Sequence, residues 1–150
     1  MANTYANLMI HYIFSTKNRN PLLAESFRDQ VFRYMAGICK DEDMHPIAIG
    51  GMANHAHALV GLPPRISVSR GIQLIKGLSS KWVNNRFITD RSFAWQSGYR
   101  AFSVGVSQRE ATNRYIHNQE QHHRTKTFRE EYLEILDLHN IDYDRAYVFD

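Results

Sequence analysis

The sequence contains few cysteine, proline and glycine residues and no long apolar run. Its single cysteine, Cys39, excludes a disulfide framework and a thiolate zinc cluster. Only four prolines and eight glycines among 150 residues exclude collagen-like and low-complexity chains. No apolar run approaches the roughly 18–20 residues of a membrane span, and the N-terminus lacks the layout of a secretory signal. The sequence therefore predicts a cytoplasmic protein of one domain, with no membrane partner.

The net charge of +3 hides an uneven distribution. Residues 61–109 carry eight Lys or Arg and one acidic residue, whereas residues 110–150 carry five basic and nine acidic residues. A basic block of this kind attracts a polyanion, because each neutralised phosphate releases counterions. A solvated surface that only keeps the protein soluble would have the same composition, so nucleic-acid binding is one of two interpretations.

Hydrophobic periodicity predicts alternating strands and helices. The predicted strands cover 5–14, 47–49, 58–62 and 99–106, and the predicted helices cover 25–40, 68–87, 107–123 and 127–139. Ser107 to Glu110 and Thr127 to Glu130 have the pattern of capping boxes that open the last two helices. This order of elements predicts an α+β domain, ferredoxin-like, whose antiparallel four-stranded sheet has helices on one face.

Two histidines form the first candidate site. His55 and His57 lie in the strand after the Gly-rich hairpin sequence GGMAN. Residues two apart in a strand point to the same face, so both imidazoles can converge on one ion while Ala56 faces the other way. Neutral imidazole is the commonest protein metal ligand. Hydrogen-bonded surface histidines would show the same spacing, so both interpretations stay open.

Tyr115 and Gln119 form the second candidate site, on a predicted helix. A separation of four residues places both on one helical face. The phenol is a candidate nucleophile, and the amide oxygen is a candidate third metal ligand. A core tyrosine with its hydroxyl at the surface would look the same. His122 and His123 follow closely, which leaves the third ligand ambiguous.

The segment from Phe93 to Arg100, FAWQSGYR, combines aromatic and polar residues. If these rings are exposed, they can stack on bases beside a basic groove. If they are buried, they are core and turn residues. The sequence alone does not separate the two.

Several segments, in their order along the chain, resemble one protein family. They are HYIFSTKNRNPLL, MANHAHALVGLPP, IQLIKGLSSKWVNNRF, FAWQSGYRAFSVG and SQREATNRYIHNQEQHH. The chain is similar to the single-tyrosine HUH transposases of bacterial insertion sequences, including the REP-associated tyrosine transposases. The final segment from Thr127 is similar to that family's usual extension. The resemblance covers nearly the whole chain and implies one HUH transposase domain, with a catalytic core of about residues 1–123 and a helical tail of about residues 124–150.

The resemblance also implies residue roles. His55 and His57 match the HUH histidines, which hold a divalent ion. Tyr115 matches the nucleophile, and Gln119 matches the third ligand. The resemblance further implies a homodimer that binds hairpins at element ends and cuts single-stranded DNA, in many members with active sites shared between subunits. Ala56 departs from the family, in which a bulky apolar residue usually separates the histidines.

The implied chemistry suits these residue types. Tyrosine has a pKa of about 10, so its oxygen needs help to become a nucleophile at neutral pH. With a cation polarising the scissile phosphate, attack gives a 5′-phosphotyrosine and a free 3′-hydroxyl, and the reverse step rejoins DNA. Two imidazoles and an amide carry no formal charge, so the affinity for a divalent ion should be modest and should rise when the phosphate enters. Mg²⁺ prefers oxygen ligands and Mn²⁺ tolerates imidazole better, so we expect Mg²⁺ or Mn²⁺, with Mn²⁺ the better activator in vitro. Zinc held by His55, His57 and His122 is the structural alternative.

Basic residues around the helix predicted at 68–87 are the candidate DNA contacts. They are Arg65, Arg70, Lys76, Lys81 and Arg100. Other functions stay open: a domesticated hairpin-DNA-binding or REP-processing protein without autonomous transposition, and a ferredoxin-like RNA-binding module. A plasmid-type relaxase or replication initiator shares the chemistry, but 150 residues leave no room for a helicase domain.

Overall fold

The computed structural model describes residues 3–123 and 127–138, apart from the side chains of residues 122, 137 and 138. The chain divides into two compact units, Met1–Gln119 and Glu120–Asp150. The main elements of the first unit are β1 (Leu8–Ser15), α1 (Arg28–Asp41), β2 (His45–Met52), β3 (His55–Leu62), α2 (Val68–Arg86), β4 (Arg100–Val104) and α3 (Arg109–His117). Two further helices follow, α4 (Gln119–His122) and α5 (Phe128–Leu138). The predicted single domain with a tail from residue 124 stays a prediction.

The four strands form one antiparallel sheet in the order β2-β3-β1-β4. The predicted ferredoxin-like α+β fold is confirmed, with each predicted strand and helix present at shifted ends. The predicted strand bounds are corrected most at β2 and β3. Both strands are longer than predicted and meet at a two-residue turn, Ala53–Asn54. Within the described residues, no helix is long and apolar enough to cross a membrane.

Alternation along β3 divides the sheet into two faces. Ala56, Ala58 and Val60 are fully buried and join the large apolar core on one face. Helices α1 and α2 cover this face and contribute the buried side chains of Val31, Phe32, Met35, Cys39, Ile72, Ile75 and Val83. The intervening residues His55, His57 and Leu59 therefore point to the opposite face. We call these two sides the core face and the histidine face.

Helix α3 lies against the histidine face, through a smaller apolar cluster. Ile116 packs there with Met9, Ala48 and Leu59. Gly50 of β2 makes this approach possible, because a Cβ atom added to it would lie 2.9 Å from the Ile116 carbonyl oxygen. In the first unit, helices thus cover both faces, with α1 and α2 on the core face and α3 on the other. The predicted placement of helices on one face therefore holds for α1 and α2 and not for α3.

The starts of the last helices differ from the predicted capping boxes. Ser107 lies inside a 3-10 helix, Val106–Gln108, and the Gln108 side chain instead accepts a hydrogen bond from the Gly105 amide at 3.2 Å. At α5, the Thr127 hydroxyl accepts from the Glu130 amide at 3.2 Å, so that half of the predicted box is present. The predicted end of this helix, at 139–140, lies outside the described residues.

Candidate active site

His55 and His57 lie together on the histidine face, as the spacing predicts. Both side chains are fully buried, and their ring centroids are 5.2 Å apart. They are therefore not hydrogen-bonded surface histidines. Their environment is nevertheless polar, because both ring nitrogens of His55 and Nδ1 of His57 each face a nitrogen or oxygen of another side chain. Buried imidazoles in such a setting have fixed orientations, which is what a ligand site requires.

Both ring nitrogens of His55 face the amide oxygen of another side chain. Nδ1 lies 2.7 Å from Oδ1 of Asn54, and Nε2 lies 3.1 Å from Oε1 of Gln119. A carboxamide oxygen only accepts, so a neutral ring, with one proton, donates to one of the two. With the proton on Nδ1, the ring donates to Asn54, and Nε2 keeps a lone pair that a cation can accept.

Gln119 is held in place by the tyrosine four residues before it. Its side chain is buried, and Nε2 donates to the Tyr115 carbonyl oxygen at 3.3 Å. This bond leaves Oε1 as the atom that faces His55. The helix breaks between the two residues, at Asn118, where α3 ends and α4 begins. The predicted shared face of Tyr115 and Gln119 persists across the break.

The environment of His57 includes a residue that the sequence analysis missed. His11 of β1 is buried, and its Nε2 lies 2.9 Å from Nδ1 of His57. The half-buried Tyr115 ring stands edge-on to both, with centroids 5.6 Å from His57 and 6.4 Å from His11. Tyr115 therefore lies beside the histidines and is not only a core residue of α3.

These residues fit a divalent cation. His55 Nε2 and Gln119 Oε1 lie 3.1 Å apart, and with the His55 proton on Nδ1 both atoms would offer a lone pair to a cation. Two adjacent ligands of an octahedral ion at about 2.1 Å would be about 3.0 Å apart. His57 contributes a third donor from the same face of β3. Imidazole with amide oxygen is a ligand set that Mn²⁺ accepts well and Mg²⁺ accepts less readily.

The alternative third ligands are placed differently. The side chain of His122, needed for the zinc alternative, lies outside the described part of the structure. Nε2 of His123 lies 2.9 Å from Oε2 of Glu131, both in the second unit. Among the side chains described in the first unit, Gln119 is therefore the ligand candidate that reaches His55.

The five predicted DNA contacts do not form one surface. In the sheet register, Ile13 is opposite both His57 and Arg100, so Arg100 lies on the histidine face, two strands from His57. Lys76 belongs to α2, on the core face. Its ammonium donates to the carbonyl oxygens of Gln96 and Gly98, at 2.8 and 2.6 Å. Burial lowers the pKa of Lys76, and we interpret it as a support for this loop.

The remaining three cations lie on or next to α2. Arg65 pairs with Asp43, and Arg70 donates to Oε1 of Gln73 at 3.0 Å. Lys81 is exposed. Arg70 and Lys81 are thus on the side of the sheet that α2 covers, and Arg65 lies in the loop between β3 and α2.

The aromatic segment before β4 is core and turn. Phe93 is buried, and Trp95 packs against the same core while its Nε1 donates to the Ser79 hydroxyl at 3.0 Å. Tyr99 also packs against this core. Of the two interpretations of FAWQSGYR, the structural one therefore holds for these three rings.

The whole first unit is similar to known transposases. The family model described as "Transposase IS200 like" matches residues 4–119. The transposase of insertion sequence element IS200 from Salmonella typhimurium is 28% identical over 111 residues, which cover 70% of this chain and 72% of that protein. The Salmonella typhi IS200 transposase matches equally.

Two solved structures share the fold. One is a Deinococcus radiodurans R1 protein assigned as a transposase, with a TM-score of 0.65 and 22% identity over 79% of this chain and 95% of that chain. The other is a REP-associated tyrosine transposase bound to a REP hairpin, with a TM-score of 0.60 and 16% identity over 82% of this chain and 73% of that chain. At these identities the likeness concerns the fold.

Proposed function

Because this chain belongs to the IS200-like transposase family, we propose that it binds DNA hairpins and cleaves and rejoins single-stranded DNA, with Tyr115 as the nucleophile. The observation that carries this proposal is the convergence of four side chains on the histidine face. His55 and His57 come from β3, and Tyr115 and Gln119 come from α3 and α4. Family membership supports the reaction class, and this convergence supports the choice of residues.

The proposed cleavage is a transesterification. The Tyr115 phenol oxygen attacks the scissile phosphorus, a new phosphorus–oxygen bond forms, and the bond to the 3′ oxygen breaks. The phenol loses one proton and the leaving 3′ oxygen gains one, so charge and atoms balance. The product is a 5′-phosphotyrosine, and a 3′-hydroxyl from another strand reverses the step to join DNA. No energy source is needed, because the phosphotyrosine conserves the phosphodiester bond energy.

The residues beside Tyr115 position it and bind the metal. We assign the metal site to His55, His57 and Gln119, and the cofactor to Mg²⁺ or Mn²⁺. When bound there, the ion would polarise the phosphate and stabilise its developing charge. The edge-on contact between the Tyr115 and His57 rings holds the phenol next to this site. The packing of Ile116 against β2 and β3 fixes the helix that carries the phenol.

Of the five predicted DNA contacts, Arg100 is the one that lies on the histidine face, and we propose that it contacts a DNA phosphate. A long guanidinium side chain forms bidentate hydrogen bonds with phosphate. Arg65, Arg70 and Lys81 stay predicted contacts for DNA that extends around α2. The homodimer, with active sites that two subunits share, also stays a prediction. One relative's fold, seen on a REP hairpin, supports hairpin DNA as the partner to test.

A covalent-adduct assay tests the proposed function. Labelled single-stranded DNA from the flanks of the gene is incubated with the protein and Mn²⁺ or Mg²⁺, and labelled protein is sought on a denaturing gel. We expect an adduct that chelation abolishes and that Tyr115→Phe does not form. Tyr34→Phe, on the exposed side of α1, is the matched control and should form the adduct normally.

The outcomes separate the open functions. Hairpin binding without any adduct would favour a domesticated hairpin-DNA-binding or REP-processing protein. Preference for RNA over DNA in a competition assay would favour the RNA-binding module. An adduct that persists in Tyr115→Phe would mean that another tyrosine is the nucleophile, and an adduct that persists after chelation would contradict the metal.

A further inference from the structure

We infer that His11 and Asn54 are positioning residues that orient the two metal-binding histidines, and that they do so without adding charge. The inference rests on the proposed metal site. In each histidine of that site, Nδ1 contacts one of these two residues. Nδ1 of His57 contacts His11, and Nδ1 of His55 contacts Asn54. In both cases the opposite nitrogen, Nε2, becomes the ligand atom.

The contact between His11 and His57 couples the tautomers of the two rings. The two nitrogens are 2.9 Å apart, so one of them must donate and the other must accept. If His57 binds the metal through Nε2, its Nδ1 must carry the proton and donate it to Nε2 of His11. A hydrogen bond of this kind on the far nitrogen is what fixes tautomer and ring angle in metal-bound histidines.

The position of His11 in the sheet keeps this contact rigid. His11 lies on the central strand β1, directly opposite Leu59 of β3 and Phe102 of β4. All three are buried, and His11 is 7% exposed. His57 is the diagonal neighbour of His11 on β3, two residues from Leu59. An imidazole enclosed by apolar side chains has few alternative rotamers, so it presents its Nε2 at a fixed place.

Asn54 is held equally firmly from its backbone. It ends the β2–β3 turn, and its carbonyl oxygen accepts from the Thr16 amide at 2.9 Å. The Thr16 hydroxyl donates to the Asn20 carbonyl oxygen at 2.6 Å and also lies 3.1 Å from the Asn54 carbonyl oxygen. These contacts attach the turn to the residue that follows β1. From this fixed backbone, the Asn54 side chain places Oδ1 2.7 Å from Nδ1 of His55.

The chemistry of these two partners has a consequence for affinity. Metal-bound histidines commonly donate to a carboxylate, which raises the basicity of the imidazole. Here an imidazole and a carboxamide take that place, so neither the ligands nor their partners carry negative charge. We therefore expect these two partners to leave the affinity for a divalent ion lower than carboxylate partners would.

The first test measures the tautomers in the wild-type protein. Long-range ¹H–¹⁵N spectra of ¹⁵N-histidine protein, at a pH where the rings are neutral, distinguish a proton on Nδ1 from one on Nε2. We expect the Nδ1–H form for His55 and His57, and Mg²⁺ should shift both Nε2 signals. An Nε2–H form of His57 would overturn the role of His11. This test needs no variant and no DNA.

The second test measures Mn²⁺ affinity by electron paramagnetic resonance, with and without single-stranded DNA, in protein that carries Tyr115→Phe to prevent cleavage. His11→Leu and Asn54→Ala should each weaken Mn²⁺ binding about 10–100-fold, the usual effect of losing such a partner. His11→Gln places an amide oxygen where Nε2 was and should restore most of the affinity. His45→Leu, at an exposed histidine of β2, is the control and should bind Mn²⁺ normally.

The charge argument has its own variant. Asn54→Asp keeps the size and replaces the neutral acceptor by a carboxylate, so it should bind Mn²⁺ more tightly than the wild type, most clearly without DNA. Unchanged or weaker binding in Asn54→Asp would contradict the charge argument. His11→Leu with wild-type affinity, or His11→Gln as weak as His11→Leu, would overturn the positioning role.

These readouts are independent of cleavage. If the wild type forms no DNA adduct but the tautomers and affinities change as expected, the proposed function fails and this inference stands. If the adduct forms and the variants bind Mn²⁺ like the wild type, the function stands and this inference fails. If His11→Leu does not fold, the wild-type tautomers and the two Asn54 variants decide. A wild type that binds no Mn²⁺ even with DNA overturns the inference.

Discussion

The two faces of the sheet are both buried, but they are built from different residues. On the core face, β3 presents Ala56, Ala58 and Val60 to two long helices, and the packing is apolar. On the histidine face, the same strand presents His55 and His57 to the short helix α3, and the apolar cluster is small. One strand therefore serves both sides, because its side chains alternate.

We expect the core face to determine stability and the histidine face to determine metal binding and cleavage. The larger apolar core supplies most of the burial that stabilises the first unit, since the hydrophobic contribution grows with the apolar area removed from water. The histidine face has buried polar side chains, and hydrogen bonds fix their orientation. Substitutions on the core face should therefore change stability, and those on the histidine face should change metal binding and cleavage.

The largest expected effect separates these two properties directly. His57→Ala should reduce adduct formation by more than about a hundredfold, since even the loss of a ligand's partner costs about 10–100-fold in metal affinity or activity. Ile75→Ala, on the core face, should instead lower the free energy of unfolding by about 2–5 kcal/mol. Thermal unfolding and the adduct gel, run on both variants, measure the two effects.

The separation between the two faces fails if a substitution on the core face abolishes adduct formation in a folded protein. The Ile75→Ala protein, assayed well below its melting temperature, should form the adduct at the wild-type rate. A folded Ile75→Ala protein that forms no adduct would show that the core face also sets the chemistry.

The next effect concerns the junction between the sheet and α3. Gly50→Ala places a methyl group 2.9 Å from the Ile116 carbonyl oxygen, so α3 must move. We expect a loss of about 1–3 kcal/mol of stability from overpacking, and slower adduct formation because Tyr115 moves with the helix. Chemical denaturation and the adduct gel measure both.

Gly77→Ala is the matched control for Gly50→Ala. Gly77 is exposed in α2, and a Cβ atom there would meet nothing within 4 Å. This change should stabilise the protein by about 0.5–1 kcal/mol, because alanine favours a helix over glycine. If both variants behave alike, the close approach of α3 is not what Gly50 provides.

A smaller effect compares cations on the two faces. Arg100→Ala should weaken binding of single-stranded DNA about tenfold, because hydrogen bonds to charged groups contribute about 1.5–3 kcal/mol. Lys81→Ala should weaken it less than about fivefold, since exposed charge pairs contribute about 0.2–1 kcal/mol. Affinities measured over a salt series should become less salt-dependent in both variants. A larger effect at Lys81 would place the DNA path along α2.

The smallest expected effect concerns the Cys39 thiol on the core face, which we expect not to react in the native protein. Burial raises the pKa of Cys39 to about 12, so at pH 8 almost none of this thiol is the reactive thiolate. Iodoacetamide should therefore leave Cys39 unmodified in the native protein and label it after unfolding, as mass spectrometry can measure. Labelling of Cys39 under native conditions would show that the core on this face unfolds transiently. The labelling rate should then be higher in Ile75→Ala.

The sequence was sufficient wherever a local period decides the arrangement. The two-residue period of a strand placed His55 and His57 on one face, and the four-residue spacing kept Gln119 beside Tyr115 even though the helix breaks at Asn118. The order of strands and helices likewise indicated the sheet. The capping box predicted at Ser107 is wrong, because Ser107 lies inside the 3-10 helix that precedes α3.

Long-range pairing could not be predicted from the same patterns. His11 meets His57 only because β1 and β3 pair in one register, and a shift of one residue would have turned His11 to the core face. Lys76 is one basic residue among several in the sequence, and only the position of the 96–98 loop shows that its ammonium binds carbonyl oxygens.

The sequence by itself determined which residues can share a face, since that depends on the backbone period of each element. The tertiary structure decided which faces meet: that α3 lies on the histidine face, that Arg100 shares this face while α2 does not, and that Asn54 and His11 contact the histidines. The physical reason is that burial and strand register act between segments far apart in the chain. These interactions have no signature in the local spacing of residues.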